Sequence, residues 1–368
     1  MISHPSYAVE PWAVRETGLD LDVLAQSESV FALSNGHLGW RGNLDEGEPY
    51  GLPGSYLNGV HEQHPLAYAE PGYGYPDVAE TVIDVTNGKL IRLLVDDEPF
   101  DVRYGQLLDH ERVLDMRTGV LSRTCTWRSP SGRTVRVRSS RLVSLTQRAV
   151  AAVAYEVEAV DQAVRVVVQS ELVANEELPK SGGDPRQAAA VEHPLAAEQH
   201  LALGARLRLV HSTRASGLRV GVAADHTVKA PGRLTAEGES SPDVARWTVT
   251  AVLEPGQALR LEKFVAHGWS GRRSLPAVAD QVEAALSAAR STGWSGLVAE
   301  QRAYLDAFWS RADVEVEGDA EIQQAVRFAM FHVLQAAARG EEQPVPAKGL
   351  TGSGYDGHAF WDTESYVL

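Results

Sequence analysis

The densest set of side chains able to handle a polar ligand lies near the C-terminal end, in GYDGHAFWDTE, residues 354–364. Tyr355, Phe360 and Trp361 alternate there with Asp356, Asp362 and Glu364, among glycines that allow a backbone to approach a ligand closely. Such a mixture suits a sugar. An aromatic face covers the apolar C–H side of a pyranose, and a carboxylate accepts hydrogen bonds from adjacent hydroxyls more strongly than an amide would. The same residues also suit a structural task, with aromatic anchors and Asp362 or Thr363 capping a following helix. Composition alone leaves both readings open.

Two other motifs invite chemistry and do not sustain it. Gly352-Ser353-Gly354-Tyr355-Asp356-Gly357 matches the dinucleotide spacing Gly-x-Gly-x-x-Gly, but that mechanism needs a parallel strand directly before it and a helix after it. Here a helical pattern and a turn containing Pro344 and Pro346 come first. His61-Glu62-Gln63-His64 has one residue too few between its Glu and second His for the zinc-protease pattern, and Pro65 follows at once. A solvated loop is expected there. Cys125 is the only cysteine, so neither an intrachain disulfide nor a thiolate metal site can form.

These motifs must be held by ordered elements, and the chain announces two kinds. From about Thr81 to His267 short runs alternate with period two, the signature of strands with one buried face. RTVRVRS is the clearest: Val135 and Val137 should face inward, Arg136 and Arg138 outward. Similar runs begin at Ile91, Ala163, Ala205, Leu218, Trp247 and Leu259, and turn signals such as Asn87-Gly88, Ser131-Gly132 and Pro255-Gly256 lie between strand runs. Many strands without intervening helices predict a large antiparallel sandwich. Asn175 to Gln199 reads as a long surface loop.

After Gly268 the period changes to that of helices. Pro276–Arg290 places Val278, Val282, Ala285 and Leu286 on one stripe, and a second helix is expected over Leu297–Trp309. A third, from about Ala320 to Ala338, repeats Ile322, Val326, Ala329, Met330 and Val333 at intervals of three and four.

Composition bounds the partners. With 34 Lys plus Arg against 49 Asp plus Glu the formal charge is −15, the wrong sign for a phosphate backbone, so no nucleic-acid partner is expected. The longest apolar run, Ala149–Tyr155, is far short of the ~18 residues that span a bilayer, and the N-terminus has no secretory pattern. A cytoplasmic protein with no membrane partner is expected.

Several stretches together carry a family resemblance. FALSNGHLGWRGNLDEG (from Phe31), GSYLNGVHE (from Gly54), the run Leu93–Arg123 and VPAKGLTGSGYDGHAFWDTESYVL (from Val345) resemble glycoside hydrolase family 65, whose members include maltose, trehalose and kojibiose phosphorylases. Taken alone, the glycines of the first stretch would be assigned to tight turns. The resemblance implies a β-sandwich over residues 1–268, a helical linker over 269–312, and the start of an (α/α) six-hairpin barrel over 313–368 that is cut short, in a chain that is part of a longer protein. It places Trp361 and Asp362 at the subsite for the non-reducing glucose, with Phe360 and His358 as neighbours. It implies inverting cleavage of an α-linked glucose disaccharide, with inorganic phosphate as co-substrate and no other cofactor, and it favours a homodimer. The family's general acid is a Glu further along the barrel, so this segment is expected to hold no catalytic residue and to be inactive alone. Two further readings stand beside it: a related hydrolase using water, and a non-catalytic carbohydrate-binding sandwich.

Overall fold

The computed structural model describes residues 6–66, 72–177 and 191–366. Its strands form two principal antiparallel sheets. The larger has ten strands in the order Tyr7–Glu10, Ala13–Thr17, Gln106–Asp115, Val120–Arg128, Thr134–Val143, Val150–Ala159, Ala258–Ser270, Arg219–Lys229, Arg206–Thr213 and Leu195–Leu203. The smaller has five, ordered Leu234–Ser240, Val244–Leu253, Val164–Val173, Ile91–Val95 and Glu98–Pro99. The expected antiparallel sandwich is present, with a short helix α1 (Leu24–Val30) after its second strand and longer helices following the last.

Period-two patterning explains the layering. Val135 and Val137 are fully buried while Arg136 and Arg138 stay partly in water. Val137 and Val157 of the large sheet share one apolar cluster with Val166, Val168 and Val249 of the small sheet. The other face of the large sheet is covered too, by helix α2 (Leu275–Ala312): Val150, Ala152, Phe264 and Ala266 meet Val282, Leu286 and Leu297. Strands buried on both faces need no polar alternation, and the run Ala149–Tyr155 lies in such a strand.

The two helices expected over Pro276–Arg290 and Leu297–Trp309 are the two arms of α2, broken at Gly293, whose φ of 70° and ψ of 167° no helix accommodates. Helix α3 (Ala320–Ala337) starts where expected, with the Asp319 side chain accepting the amides of Glu321 and Ile322 at 3.0 Å each. Its orientation differs from the pattern. Gln323, Gln324, Arg327, Phe331 and Gln335 are buried, whereas Ile322 and Val333 are each 44% exposed. The sheet side offers backbone carbonyls: Gln324 donates to Ala8 and Ala13 at 3.1 and 2.7 Å, and Arg327 lies over the Trp12 ring at 3.7 Å. Donors, rather than methyl groups, satisfy that surface.

Two expectations about loops are corrected. His61–Pro65 is a strand paired antiparallel with Val78–Val82, so the His-Glu-Gln-His motif is not a solvated loop; Glu62 is buried. Residues 195–199, expected within a loop, belong to strand Leu195–Leu203, paired with Arg206–Thr213, while residues 178–190 of that expected loop lie outside the described residues.

Candidate functional site

The C-terminal motif is held by the glycine- and asparagine-rich block near the other end of the chain. Arg41 donates from Nη1 to the Thr351 carbonyl at 2.5 Å and from Nη2 to the Ala25 carbonyl at 2.7 Å, with the Glu28 carboxylate 3.6 Å away. Asn58 bridges the carbonyls of Gly36 and Pro344, each at 3.0 Å. Ser34 donates twice to Gln335 at 2.8 Å, from its amide to the side-chain oxygen and from its hydroxyl to the backbone carbonyl. A Cβ on Gly39 would come within 2.2 Å of the Leu350 carbonyl oxygen, so only glycine lets these backbones touch. The density of small residues in residues 31–59 thus serves close approach to residues 335–351 as well as turns.

Behind this contact lies a set of buried ion pairs that fix the block on the large sheet. Asp45, 1% exposed, accepts from Arg141 at 2.8 Å, from Ser139 at 2.6 Å and from Arg123 at 3.4 Å; Arg123 also grips Glu46 with bonds of 2.5 and 3.0 Å. Burial pushes the Asp45 carboxyl up, but Arg141, Arg123 and Ser139 outweigh it and hold it below the usual carboxylate range.

The motif itself opens with a 3₁₀ turn, Gly354–Gly357, in which Tyr355 and Asp356 take left-handed φ values of 58° and 56°. Tyr355 packs edge-to-face on Phe360 with 5.6 Å between centroids, and the Lys348 ammonium lies 5.6 Å from the Tyr355 ring centre. Phe360 is 44% and Trp361 72% exposed, and Asp362, also exposed, begins helix α4 (Asp362–Tyr366). Both uses foreseen for Asp362, helix start and ligand acceptor, remain open to it. His358 points elsewhere: its Nε2 donates to the Glu80 carbonyl at 2.7 Å.

Beside this step lies an open cleft of ≈ 340 Å³ between α3 and residues 345–351, with Thr363 on its rim. Ser34, His332, Lys348 and Thr351 are among its polar lining groups, and no carboxylate lines it among the described residues. Burial holds the His332 imidazolium down to about 4, so the ring is neutral, and its Nε2 has no protein partner among the described residues. Neutral nitrogen, hydroxyls and one ammonium can bind a hydroxyl-rich or anionic molecule; they cannot supply the paired carboxylates of acid–base hydrolysis. Trp361 and Asp362 adjoin Thr363 in the chain without lining the cleft. Lys348 and Thr351 stand in the stretch beginning at Val345 that carries the family resemblance, whereas His332 carries no sequence signal, since it sits in a helix among apolar residues. Among the described residues no group of three or more His, Cys, Asp or Glu could hold a metal ion, and no helix is long and apolar enough to cross a membrane.

Comparison with known proteins gives the arrangement its relatives. The chain is 59% identical over its whole length to an uncharacterized glycosyl hydrolase of Mycobacterium tuberculosis, covering 47% of that protein. It is 32% identical to the alpha,alpha-trehalose phosphorylase of Thermoanaerobacter brockii, with 99% of this chain and 48% of that one aligned. It is 26% identical to the kojibiose phosphorylase of Caldanaerobacter subterraneus, over 97% of this chain and 45% of that one. The chain therefore spans about half the length of the curated relatives it matches. A solved structure from the human microbiome, described as a candidate kojibiose phosphorylase, superposes with a TM-score of 0.87 at 23% identity, covering 98% of this chain and 46% of that one, which establishes the shared fold. Residues 14–308 match the N-terminal domain of glycosyl hydrolase family 65 and residues 327–368 its central catalytic domain, and the chain belongs to that family.

Proposed function

We propose that this chain is the N-terminal part of an inverting α-glucoside phosphorylase, and that the Trp361–Asp362 step contributes to the subsite for the non-reducing glucose. The observation that carries the reading is an exposed aromatic–carboxylate step beside a cleft of hydroxyl, imidazole and ammonium groups, in a chain whose relatives include trehalose and kojibiose phosphorylases. Phosphate is already an anion at neutral pH, so one of its oxygens attacks the anomeric carbon directly while the glycosidic C–O bond breaks. The leaving oxygen takes a proton from a carboxylic acid that this reading assigns to the portion of the relatives this chain does not span. The products are β-glucose 1-phosphate and a free sugar. Trp361 walls the sugar, and Asp362 accepts from its 4- and 6-hydroxyl region.

The complete protein, incubated with α-linked glucose disaccharides (maltose, trehalose, kojibiose, nigerose) with and without phosphate, should release glucose 1-phosphate only with phosphate. Disaccharide loss without phosphate would favour the hydrolase, whose nucleophile is water. Removing a charge-assisted hydrogen bond costs ~1.5–3 kcal/mol, so Asp362→Ala should lower kcat/KM roughly 10- to 150-fold. Near-normal efficiency would remove Asp362 from the subsite.

A further inference from the structure

The hairpin of His61–Pro65 and Val78–Val82 stands between the sandwich and the candidate site, and the end where His61 pairs with Val82 is tied to both. Towards the sandwich the buried Glu62 carboxylate accepts the backbone amides of Arg214 at 2.8 Å, Ala215 at 3.1 Å and Ser216 at 2.7 Å, as well as that of Gln63 at 2.8 Å. The first three amides belong to the turn joining Arg206–Thr213 to Arg219–Lys229. Ser216 Oγ adds a 2.7 Å bond to the His61 carbonyl. A carboxylate in a nest of amides makes several charge-assisted bonds at once and has little freedom to move.

Towards the C-terminal motif the same end of the hairpin packs without slack. The Glu80 carbonyl accepts His358 Nε2 at 2.7 Å, and the His61 and His358 rings lie 6.3 Å apart. A Cβ on Gly357 would come within 2.5 Å of Val82 Cβ, so backbone and side chain are already in contact there. His358 is three residues from Trp361. Glu62 itself lies too deep to meet a ligand, at 2% exposure, and the reaction proposed above gives it no part.

We propose that Glu62 is a positioning residue: by fixing the hairpin to the sandwich it sets the place of His358 and, through it, of the Trp361–Asp362 step. The sandwich is then the reference frame of the site. For its kinetic consequence, though not its structural one, the proposal rests on the sugar-subsite reading.

The test uses the complete protein as wild type, Glu62→Gln, His358→Ala and the double variant, with backbone hydrogen exchange of residues 357–363 and steady-state kinetics on whichever disaccharide the wild type turns over. Glu62→Gln should speed exchange across 357–363 by about tenfold, in addition to any change at the 214–216 amides that the carboxylate accepts directly. It should raise KM about fivefold with kcat held within about twofold, a split that general destabilisation does not produce. His358→Ala should do the same, and the double variant should be no worse than the poorer single, because both cut one line of contacts. Two results overturn the proposal: exchange that quickens at 212–217 but not at 357–363, or single effects that multiply in the double variant. If the wild type turns over no disaccharide, the phosphorylase reading falls and the exchange comparison still decides the positioning. Should Glu62→Gln fail to fold, Ser216→Ala, which removes the hydroxyl bond to His61 at the same joint, takes its place: faster exchange at 357–363 supports the positioning role, and unchanged exchange there overturns it.

Discussion

Lowering the pH from 7 to 5 should remove most of the protein's stability. His37, His110, His226 and His267 are all buried, and burial holds them down to about 3, 2, 3 and 3, helped by Arg148 at His37, by Arg123 and Arg112 at His110, and by Lys263 at His226. Neighbouring His37 and two lysines act on His267 in the same direction, and among the described residues neither of its ring nitrogens has a protein partner to receive or share an added proton. An unfolded histidine titrates near 6.5, so below that pH the unfolded chain binds protons that the folded one refuses, and stability falls as pH falls. At pH 5 each such site favours unfolding by about 2 kcal/mol, and four together by about 8, comparable with the 5–15 kcal/mol that holds an ordinary domain. Asp84, which burial pushes up to about 7, and Glu176, which burial also raises, work in the opposite direction, but they are two groups against four. Urea unfolding at a series of pH values from 7.5 to 5 is the measurement, and a flat profile would contradict the account. His267→Leu should reduce the slope by about one proton, ~1.4 kcal/mol per pH unit.

Asp45→Ala should be among the most damaging single substitutions in the sandwich. It leaves Arg141 with only the Asn43 carbonyl, at 2.7 Å, and deprives Arg123 and Ser139 of a shared acceptor, all away from water. Breaking one side of a buried charge pair costs roughly 3–5 kcal/mol because the stranded charge remains desolvated. The loss should show as a lower urea midpoint with an unchanged slope. Asp45→Ala combined with Arg141→Met should cost less than the sum of the two singles, as expected when both partners leave together. Strict additivity would mean that the pair does not act as a unit.

Much of this architecture was legible from periodicity, because in the strands around Val135 and Val166 burial and residue type run in step. The pattern failed where polar groups do the packing. His61–Pro65 carries no apolar alternation, so nothing marked it as a strand; it is held by pairing to Val78–Val82 and by Glu62 in its nest of amides. Helix α3 misled for the same reason, since a stripe of methyl groups was expected to face the core and Gln324 and Arg327 took that place. At the candidate site the aromatic and acidic residues of the last stretch could be picked out by type. That His358 would turn to the hairpin could not, because its partner is a backbone carbonyl 278 positions away. Lys348 and Thr351 reach the cleft through contacts of the same long range, made by Asn58 and Arg41.

The reversed orientation of α3 bears on how this polypeptide behaves in a test tube. Ile322 and Val333 present branched aliphatic groups to solvent, each 44% exposed, on the side opposite the glutamines. Oily ridges of this kind seek cover, from a dye or from another copy, whenever none is at hand. A 368-residue preparation should brighten anilinonaphthalene sulfonate and sediment as a concentration-dependent mixture, and replacing Ile322 and Val333 with lysine should lower both without disturbing the sandwich beneath.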